Sequence, residues 1–261
     1  MRMKHYSMVL LLLAAAFLRA EEVKKLDTAE AWKNDPAVSC RDGVFTVKGK
    51  VQLMAAETIA VDPGKIYKFT VSARAAKGAG SAFMPIVIQY DQKGRVIGAA
   101  QVDVIGGTFT QLLAPVKSGD TSILVKDASL WMRKRLLVIA FGAKEDYSDL
   151  PNGLLNWNTI TGISEENGAF RVQLAQKVPF STGECGIRLH KNGPAQMYPA
   201  GGRNLQGQWL TLSGKISGSE RKAFSHRKWA PGAVSARFGL QINCSDPDGV
   251  TEFKDAVLTV E

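Results

Sequence analysis

The chain is poor in the residues and motifs on which many enzymes rely. It contains three histidines, and one of them, His5, lies in the N-terminal segment. It has no Gly-x-Ser-x-Gly nucleophile elbow and no Cys-x-x-Cys or Cys/His spacing of a zinc site. For His190, at the end of a predicted strand, we expect a packing or surface role. We therefore expect a non-enzymatic protein; the open alternative is a glycoside hydrolase whose two carboxylates the sequence does not reveal.

Cysteine is also scarce, with three residues: Cys40, Cys185 and Cys244. An odd number leaves at least one thiol unpaired. Cys40 lies near the start of the expected fold and Cys244 near its end, and terminal strands often neighbour each other in sandwiches. Cys40–Cys244 is therefore the one disulfide that we consider, with unpaired thiols as the alternative.

The chain has a single long apolar run, Met8–Phe17, which follows the cations Arg2 and Lys4. The run is shorter than the roughly 20 residues that a membrane-spanning helix needs. Ala20 precedes two glutamates, so the pattern predicts a secretory signal peptide over residues 1–20 that is cleaved near Ala20. An N-terminal membrane anchor is the alternative. Export implies a secreted, periplasmic or cell-surface protein.

Positive charge is in excess, but it is scattered. The formal net charge of +9 falls to +6 once the three cations of the first twenty residues are removed. The densest cationic run, Arg133–Arg135, directly precedes the apolar segment Leu136–Phe141, so we interpret it as a solvated turn before a buried strand. The chain lacks the basic stripe with interleaved aromatics that is typical of nucleic-acid-binding proteins. We expect no nucleic-acid partner.

The chain does contain a succession of short segments that alternate between apolar and polar residues. Ile66–Ala73 alternates with a period of two, as in a half-buried strand, and it follows a turn at Asp62–Lys65. No stretch sustains the helical period of 3.6, and Thr28–Lys33 is the one candidate for a helix after the N-terminal segment. The sequence therefore predicts an all-β protein, built as a β-sandwich of short strands.

Three passages resemble a known family. Val61–Phe69 resembles the V-x-P-G-K-x-Y-x-F passage of galactose-binding-like jelly rolls, and Tyr90–Gly94 resembles the Y-D-x-x-G that follows it there. Trp209–Gly218 is similar to the family's W-x-x-x-S-x-x-I-x-G. The resemblance implies a jelly-roll β-sandwich, which is the fold of many carbohydrate-binding modules.

The middle of the chain follows a different pattern. Gly119–Ala128 is similar to the opening of small β modules found in surface and phage-fibre proteins. This resemblance implies an inserted β module over residues 116–204. The jelly roll then consists of two halves, residues 21–115 and 205–261. Such an insertion is tolerated at a loop because the entropy of loop closure grows slowly with length.

Two segments point to calcium as a candidate cofactor. The jelly rolls of the resembled family often carry a structural calcium bound by an aspartate at the start of the last strand, and Asp255 matches that position. The acidic segment Glu145–Asn152 offers carboxylate and amide oxygens, which suit a hard cation. A polar connection without metal is the alternative for this segment.

Sugar-binding sandwiches stack apolar faces of the sugar ring on aromatic side chains. Of the five tryptophans, we assign Trp209 and Trp229 to packing. Trp131 and Trp157 lie in the predicted insert with charged or amide neighbours. The candidate ligand-binding residues are Trp157, Trp131, Tyr147, Asn156 and Asn158.

These observations predict an exported, non-catalytic carbohydrate-binding or cell-surface accessory protein whose partner is a polysaccharide or glycoconjugate. The first alternative is a structural or adhesive surface protein that uses the insert for assembly. The hydrolase described above is the second. The choice among these three functions rests on analogy of fold, so it must be tested against the residues of the binding site.

Overall fold

The computed structural model describes residues 22–77, 82–133 and 136–261. The predicted signal peptide, and Lys134 and Arg135 of the basic run, lie outside the described residues. Nearly all regular structure is β, as predicted. Helical structure in the described ranges is limited to a 3-10 turn at Ala29–Ala31 and a short helix, α1, at Ala99–Val102. Neither is long and apolar enough to cross a membrane.

The strands are numbered in chain order. The first third of the chain forms β1 (Glu22–Lys25), β2 (Val38–Arg41), β3 (Val44–Lys48), β4 (Val51–Met54), β5 (Ile59–Ala60), β6 (Ile66–Lys77), β7 (Ala82–Tyr90) and β8 (Val96–Ile97). The middle forms β9 (Thr110–Gln111), β10 (Ser122–Val125), β11 (Leu136–Phe141), β12 (Leu155–Glu166), β13 (Ala169–Leu174) and β14 (Gly186–His190). The last part forms β15 (Gln196–Met197), β16 (Arg203–Asn204), β17 (Leu210–Ser217), β18 (Ser235–Ile242) and β19 (Val250–Val260).

Two antiparallel sheets face each other as a sandwich. The first has the order β17-β6-β19-β3-β2, with β1 added to β19, and the second has the order β15-β7-β18-β4, with β5, β8 and β16 at its margins. In β6 every second side chain is buried, which is the alternation that its sequence predicts. Phe69 of β6 meets Phe238 of β18 with ring centroids 5.5 Å apart, so the core lies between the two sheets.

The third sheet has the order β10-β13-β12-β11-β14-β9 and closes on itself. Leu112, directly after β9, bridges Val125 of β10, and the Lys126 N–H donates to the Gln111 carbonyl at 2.9 Å. All its strands lie between Thr110 and His190, and its inward residues form a separate apolar cluster. We call it the closed sheet. The predicted boundaries at 116 and 204 stay a prediction.

Helix α1 joins the sandwich to the outer face of the closed sheet. Ala100 packs on Val138, Ala140 and Leu155, which point outward from the closed sheet and are buried by this contact. The backbone carbonyl of Gln101 accepts a 3.0 Å hydrogen bond from the Asn152 N–H. The contact fixes the loop before β12 against the sandwich and creates the junction described below.

All three cysteines carry free thiols, so the disulfide that we considered does not form. Cys40 lies on β2, an exposed edge strand of the first sheet. Cys244 follows β18 of the second sheet, where its N–H donates to the Ala82 carbonyl. The terminal strands do neighbour each other, but these two residues belong to opposite layers of the sandwich.

Candidate functional site

A cleft of about 140 Å³ opens where the β7–β8 turn and α1 meet the closed sheet. We call it the junction cleft. Its walls combine one large aromatic side chain, a guanidinium, a carboxylate, two side-chain amides and several apolar groups. Residues that matter below are Trp157, Leu155 and Gly153 on the side of the closed sheet, and Arg95, Val96 and Gln101 on the side of the sandwich.

Trp157 is the aromatic wall of the junction cleft. It lies in β12 opposite Val138 of β11, and 44 % of its surface is exposed. Its chain neighbours Asn156 and Asn158 are 3 % and 0 % exposed, because successive residues of a strand point to opposite faces. The expectation that two amides flank the Trp157 ring is therefore wrong.

The two asparagines instead face the interior of the closed sheet. The Nδ2 of Asn158 donates to the Gln176 carbonyl at 2.8 Å, and its Oδ1 accepts from the Gln176 N–H at 3.1 Å. This pair of bonds holds the chain that leaves β13. Asn156 is buried opposite Ile139, and its Nδ2 has no hydrogen-bond partner among the described residues. Neither amide is available to a ligand at the surface.

Trp131 does not reach a ligand-accessible surface either. It is 5 % exposed and belongs to the apolar cluster inside the closed sheet. Its indole Nε1 donates to the Thr108 carbonyl at 2.9 Å, so its polar atom is already satisfied. Charged neighbours in sequence made it a loop candidate, but the ring turns inward and contributes to packing.

Asp91 holds Arg95 on the sandwich side of the junction cleft. The Nη2 and Nε of Arg95 lie 2.7 and 2.8 Å from Oδ2 of Asp91, and a Cβ on Gly153 would come within 2.9 Å of its Nη1. Burial alone would raise the pKa of Asp91, but hydrogen bonds from Arg95 and from the Lys93 N–H outweigh it and lower the pKa. Asp91 is thus ionised, and Arg95 is a fixed cationic donor.

Gln101 supplies a second donor. Its Oε1 accepts from the Gly98 N–H at 2.9 Å, which fixes the amide at the start of α1. Its Nε2 donates to no other described residue. The junction cleft therefore presents an aromatic face together with amide and guanidinium N–H groups.

Tyr147 lies outside the residues that line the junction cleft. It has a left-handed backbone, with φ of 68°. Three cations surround its ring: the Cζ atoms of Arg188 and Arg221 lie 5.3 and 5.6 Å from the centroid, and Nζ of Lys222 lies 5.1 Å from it. The structure does not bring this ring together with Trp157, and cation–π contacts already engage it.

Behind Tyr147, Arg188 and His190 form a buried polar network on the outer face of β14. Arg188 donates to Oδ2 of Asp149 at 2.6 Å and to Nε2 of His190 at 2.9 Å. Since His190 Nε2 accepts, Nδ1 carries the proton and donates to the Ala100 carbonyl at 2.7 Å. His190 is 0 % exposed, which agrees with the expected packing role. The network ties α1 to the closed sheet.

The stability of the protein is expected to fall on acidification from about pH 6.5 to about pH 4. Burial lowers the pKa of His190 from 6.5 to about 4, and the Arg188 charge acts in the same direction. Between these two pH values, His190 binds a proton in the unfolded chain but stays neutral in the folded protein. The loss approaches about 3 kcal/mol, at 1.36 kcal/mol per pKa unit.

Urea denaturation at pH 7 and pH 4.5, compared between the wild type and His190→Gln, measures this effect. His190→Gln removes the titrating group, so its stability should change less between the two pH values. The pKa of His226 is also lowered by burial, but this contribution is common to both proteins. Equal pH dependence in the two proteins would contradict the assignment.

The calcium expectation stays a prediction. Among the described residues, no group of three or more His, Cys, Asp or Glu side chains is placed to hold a metal ion. Asp255 is exposed at a bulge in β19, and its nearest charged partner is Lys254, at 3.7 Å. In the acidic segment, Asp149 and Asn152 bond each other and protein N–H groups. Calcium needs six to eight oxygen ligands.

Trp209 is an exposed aromatic, so its assignment to packing is wrong. It is 37 % exposed, and its ring lies 4.7 Å from Cζ of Arg74 and 5.0 Å from Nζ of Lys254. Counting by twos from the buried Leu212 and Ile216 would have placed it on the outer face. Trp229 is 0 % exposed, so its assignment to packing is confirmed.

The chain matches no known protein-family model and no curated protein sequence. The argument for function therefore depends on the chemistry of the residues in the junction cleft.

Proposed function

We propose that the protein is an exported, non-catalytic carbohydrate-binding or cell-surface accessory protein, and that the junction cleft holds a sugar unit of a polysaccharide or glycoconjugate. Export depends on the signal peptide predicted over residues 1–20. The observation that carries the proposal is the exposure of Trp157 in a strand whose neighbouring residues are buried.

The chemistry of the junction cleft suits a sugar ring. An indole provides a large contact area for the apolar C–H face of a pyranose and loses little side-chain entropy on binding. Arg95 and Gln101 offer N–H groups, and sugar hydroxyls accept hydrogen bonds from such donors. Arg95 is already ordered by Asp91, so binding need not pay for fixing its side chain.

A second depression of about 340 Å³ adjoins the junction cleft. The two share Asp91, Arg95 and Pro151, so Arg95 lies on the path from one to the other. A chain of linked sugars fits this arrangement better than a single small molecule. The jelly-roll resemblance supports the same ligand class by analogy of fold alone.

The hydrolase alternative is not favoured by the carboxylate in the junction cleft. A general acid must hold a proton near neutral pH, which needs a raised pKa. The pKa of Asp91 is lowered instead, and Arg95 occupies its Oδ2. Asp91 therefore acts to position Arg95.

Assembly is a second candidate function, and a separate surface favours it. Three apolar side chains at or near the start of β11 are exposed: Leu130 by 62 %, Met132 by 36 % and Leu136 by 48 %. These three residues lie close together in sequence, and patches of exposed apolar groups are typical of protein–protein contacts. This surface suits a structural or adhesive role for the closed sheet.

Trp157→Ala is expected to weaken glycan binding by about 1–3 kcal/mol, the range of an interface hot spot, with a nearly unchanged melting temperature. A glycan array identifies the ligand, and calorimetry then compares the variant with wild type. Trp209→Ala is the matched control, since it removes an exposed indole from the outer face of the first sheet.

Loss of affinity in Trp209→Ala rather than in Trp157→Ala would move the binding site to the first sheet. A blank array together with concentration-dependent self-association would favour assembly instead. Either result would overturn the junction cleft as a sugar site.

A further inference from the structure

A cavity of about 270 Å³ lies at one edge of the sandwich, between β1 and the segment that joins β4 to β5. We call it the edge cavity. Core side chains of both sheets reach it: Leu258 of β19 and Phe238 of β18 are each 2 % exposed. Leu26, directly after β1, is 3 % exposed and completes the floor. The edge cavity shares no lining residue with the junction cleft.

Small side chains leave this space open. Ala31, Ala55 and Ala56 line the edge cavity at positions where larger apolar residues would fill it. Protein cores rarely leave voids larger than a water molecule. A volume of about 270 Å³ lies close to the lower end of the range of about 300–1,000 Å³ for small-molecule sites. The space is therefore large enough for a small ligand.

The backbone around the edge cavity already makes its hydrogen bonds. The Leu26 carbonyl accepts from Nε1 of Trp32 at 3.0 Å, and the Leu26 N–H donates to the Ala256 carbonyl at 2.8 Å. The Ala56 N–H donates to the Ala31 carbonyl, also at 2.8 Å. These backbone groups therefore do not require a polar ligand, and Leu26, Phe238 and Leu258 give the floor an apolar contact surface.

The mouth of the edge cavity carries charges of both signs in balance. Lys24 and Lys25 face Glu30 and Glu57 among its lining residues. Lys24 pairs with Glu57, and its hydrogen bond and charge lower the pKa of that carboxyl. Two ammonium groups and two carboxylates favour neither an anion nor a cation.

We propose that the edge cavity is a binding site for an uncharged apolar molecule, such as a medium-length aliphatic chain or a small aromatic compound. Its floor selects by shape and apolar contact, and its mouth gives no advantage to a charged headgroup. This site is independent of sugar binding at the junction cleft.

Three eight-carbon probes test whether the edge cavity gives any advantage to a charged headgroup. They are octan-1-ol, octanoate and octylammonium, each added to the full chain. Calorimetry should show saturable one-site binding of octan-1-ol, with a rise in melting temperature as the alcohol concentration increases. Because the mouth favours neither sign of charge, neither octanoate nor octylammonium should bind more tightly than octan-1-ol. A charged analogue that binds at least about tenfold more tightly than octan-1-ol would overturn the proposal.

Two variants in the same 3-10 turn test the location. Ala31 lines the edge cavity, whereas Ala29 is exposed and does not. Ala31→Phe should weaken octan-1-ol binding at least about tenfold by filling the space, and Ala29→Phe should leave it unchanged. Circular dichroism verifies folding, and Ala56→Trp fills the same space from another side if Ala31→Phe does not fold. Similar losses in Ala29→Phe, or no saturable binding by the wild type, would place the ligand elsewhere.

Discussion

Replacing Asp149 by alanine is expected to lower the free energy of unfolding by about 3–5 kcal/mol, the usual penalty for removing one partner of a buried ion pair. The Arg188 side chain is 0 % exposed, and its Nη2 lies 2.6 Å from the Asp149 carboxylate. Without that carboxylate, a guanidinium charge stays buried beneath α1 with no acidic partner among the described residues. The junction between the closed sheet and the sandwich should loosen as a result.

Urea denaturation at pH 7, followed by circular dichroism, measures the loss. Asp146→Ala is the matched control, because Asp146 is an exposed carboxylate of the same loop that accepts from the Ser148 N–H. Its change should stay within about 0.5 kcal/mol. Asp149→Asn keeps the acceptor oxygen and should fall between the two. Equal effects of Asp149→Ala and Asp146→Ala would show that the Arg188 guanidinium becomes solvated in Asp149→Ala.

The fold class was readable because strand alternation is a local property. In β6, apolar residues recur at every second position, and the structure buries that set. The same rule governs the candidate site. Trp157 has Asn156 and Asn158 beside it in sequence, and a period of two sends those amides into the closed sheet. Trp209 follows the same rule, because the phase set by the buried Leu212 and Ile216 places it on the outer face.

The contact between α1 and the closed sheet could not be predicted from local sequence pattern. His190 meets Ala100 across 90 residues of sequence, and Arg188 meets Asp149 across 39. Side chains on the outer face of a strand are ordinarily solvated, and burial of this face depends on the docking of α1. Arg95 and Gln101 enter the candidate site through the same contact, so alternation and turn signals alone do not identify them as partners of Trp157.

Replacing Trp131 by alanine is also expected to destabilise the protein by about 3–5 kcal/mol. The indole is 5 % exposed, packs in the apolar cluster of the closed sheet, and donates to the Thr108 carbonyl. Truncation leaves a cavity in a core that the closure of the sheet prevents from collapsing freely, and it also leaves that carbonyl without its donor.

Trp157→Ala provides the internal comparison, because both tryptophans belong to the same predicted insert and differ mainly in burial. An indole that is 44 % exposed should lose about 1 kcal/mol or less of unfolding free energy. Chemical denaturation of the two variants under one condition separates an aromatic that stabilises the closed sheet from one that faces a ligand. If Trp157→Ala loses more than Trp131→Ala, the exposed ring serves packing and the junction cleft loses its stacking surface.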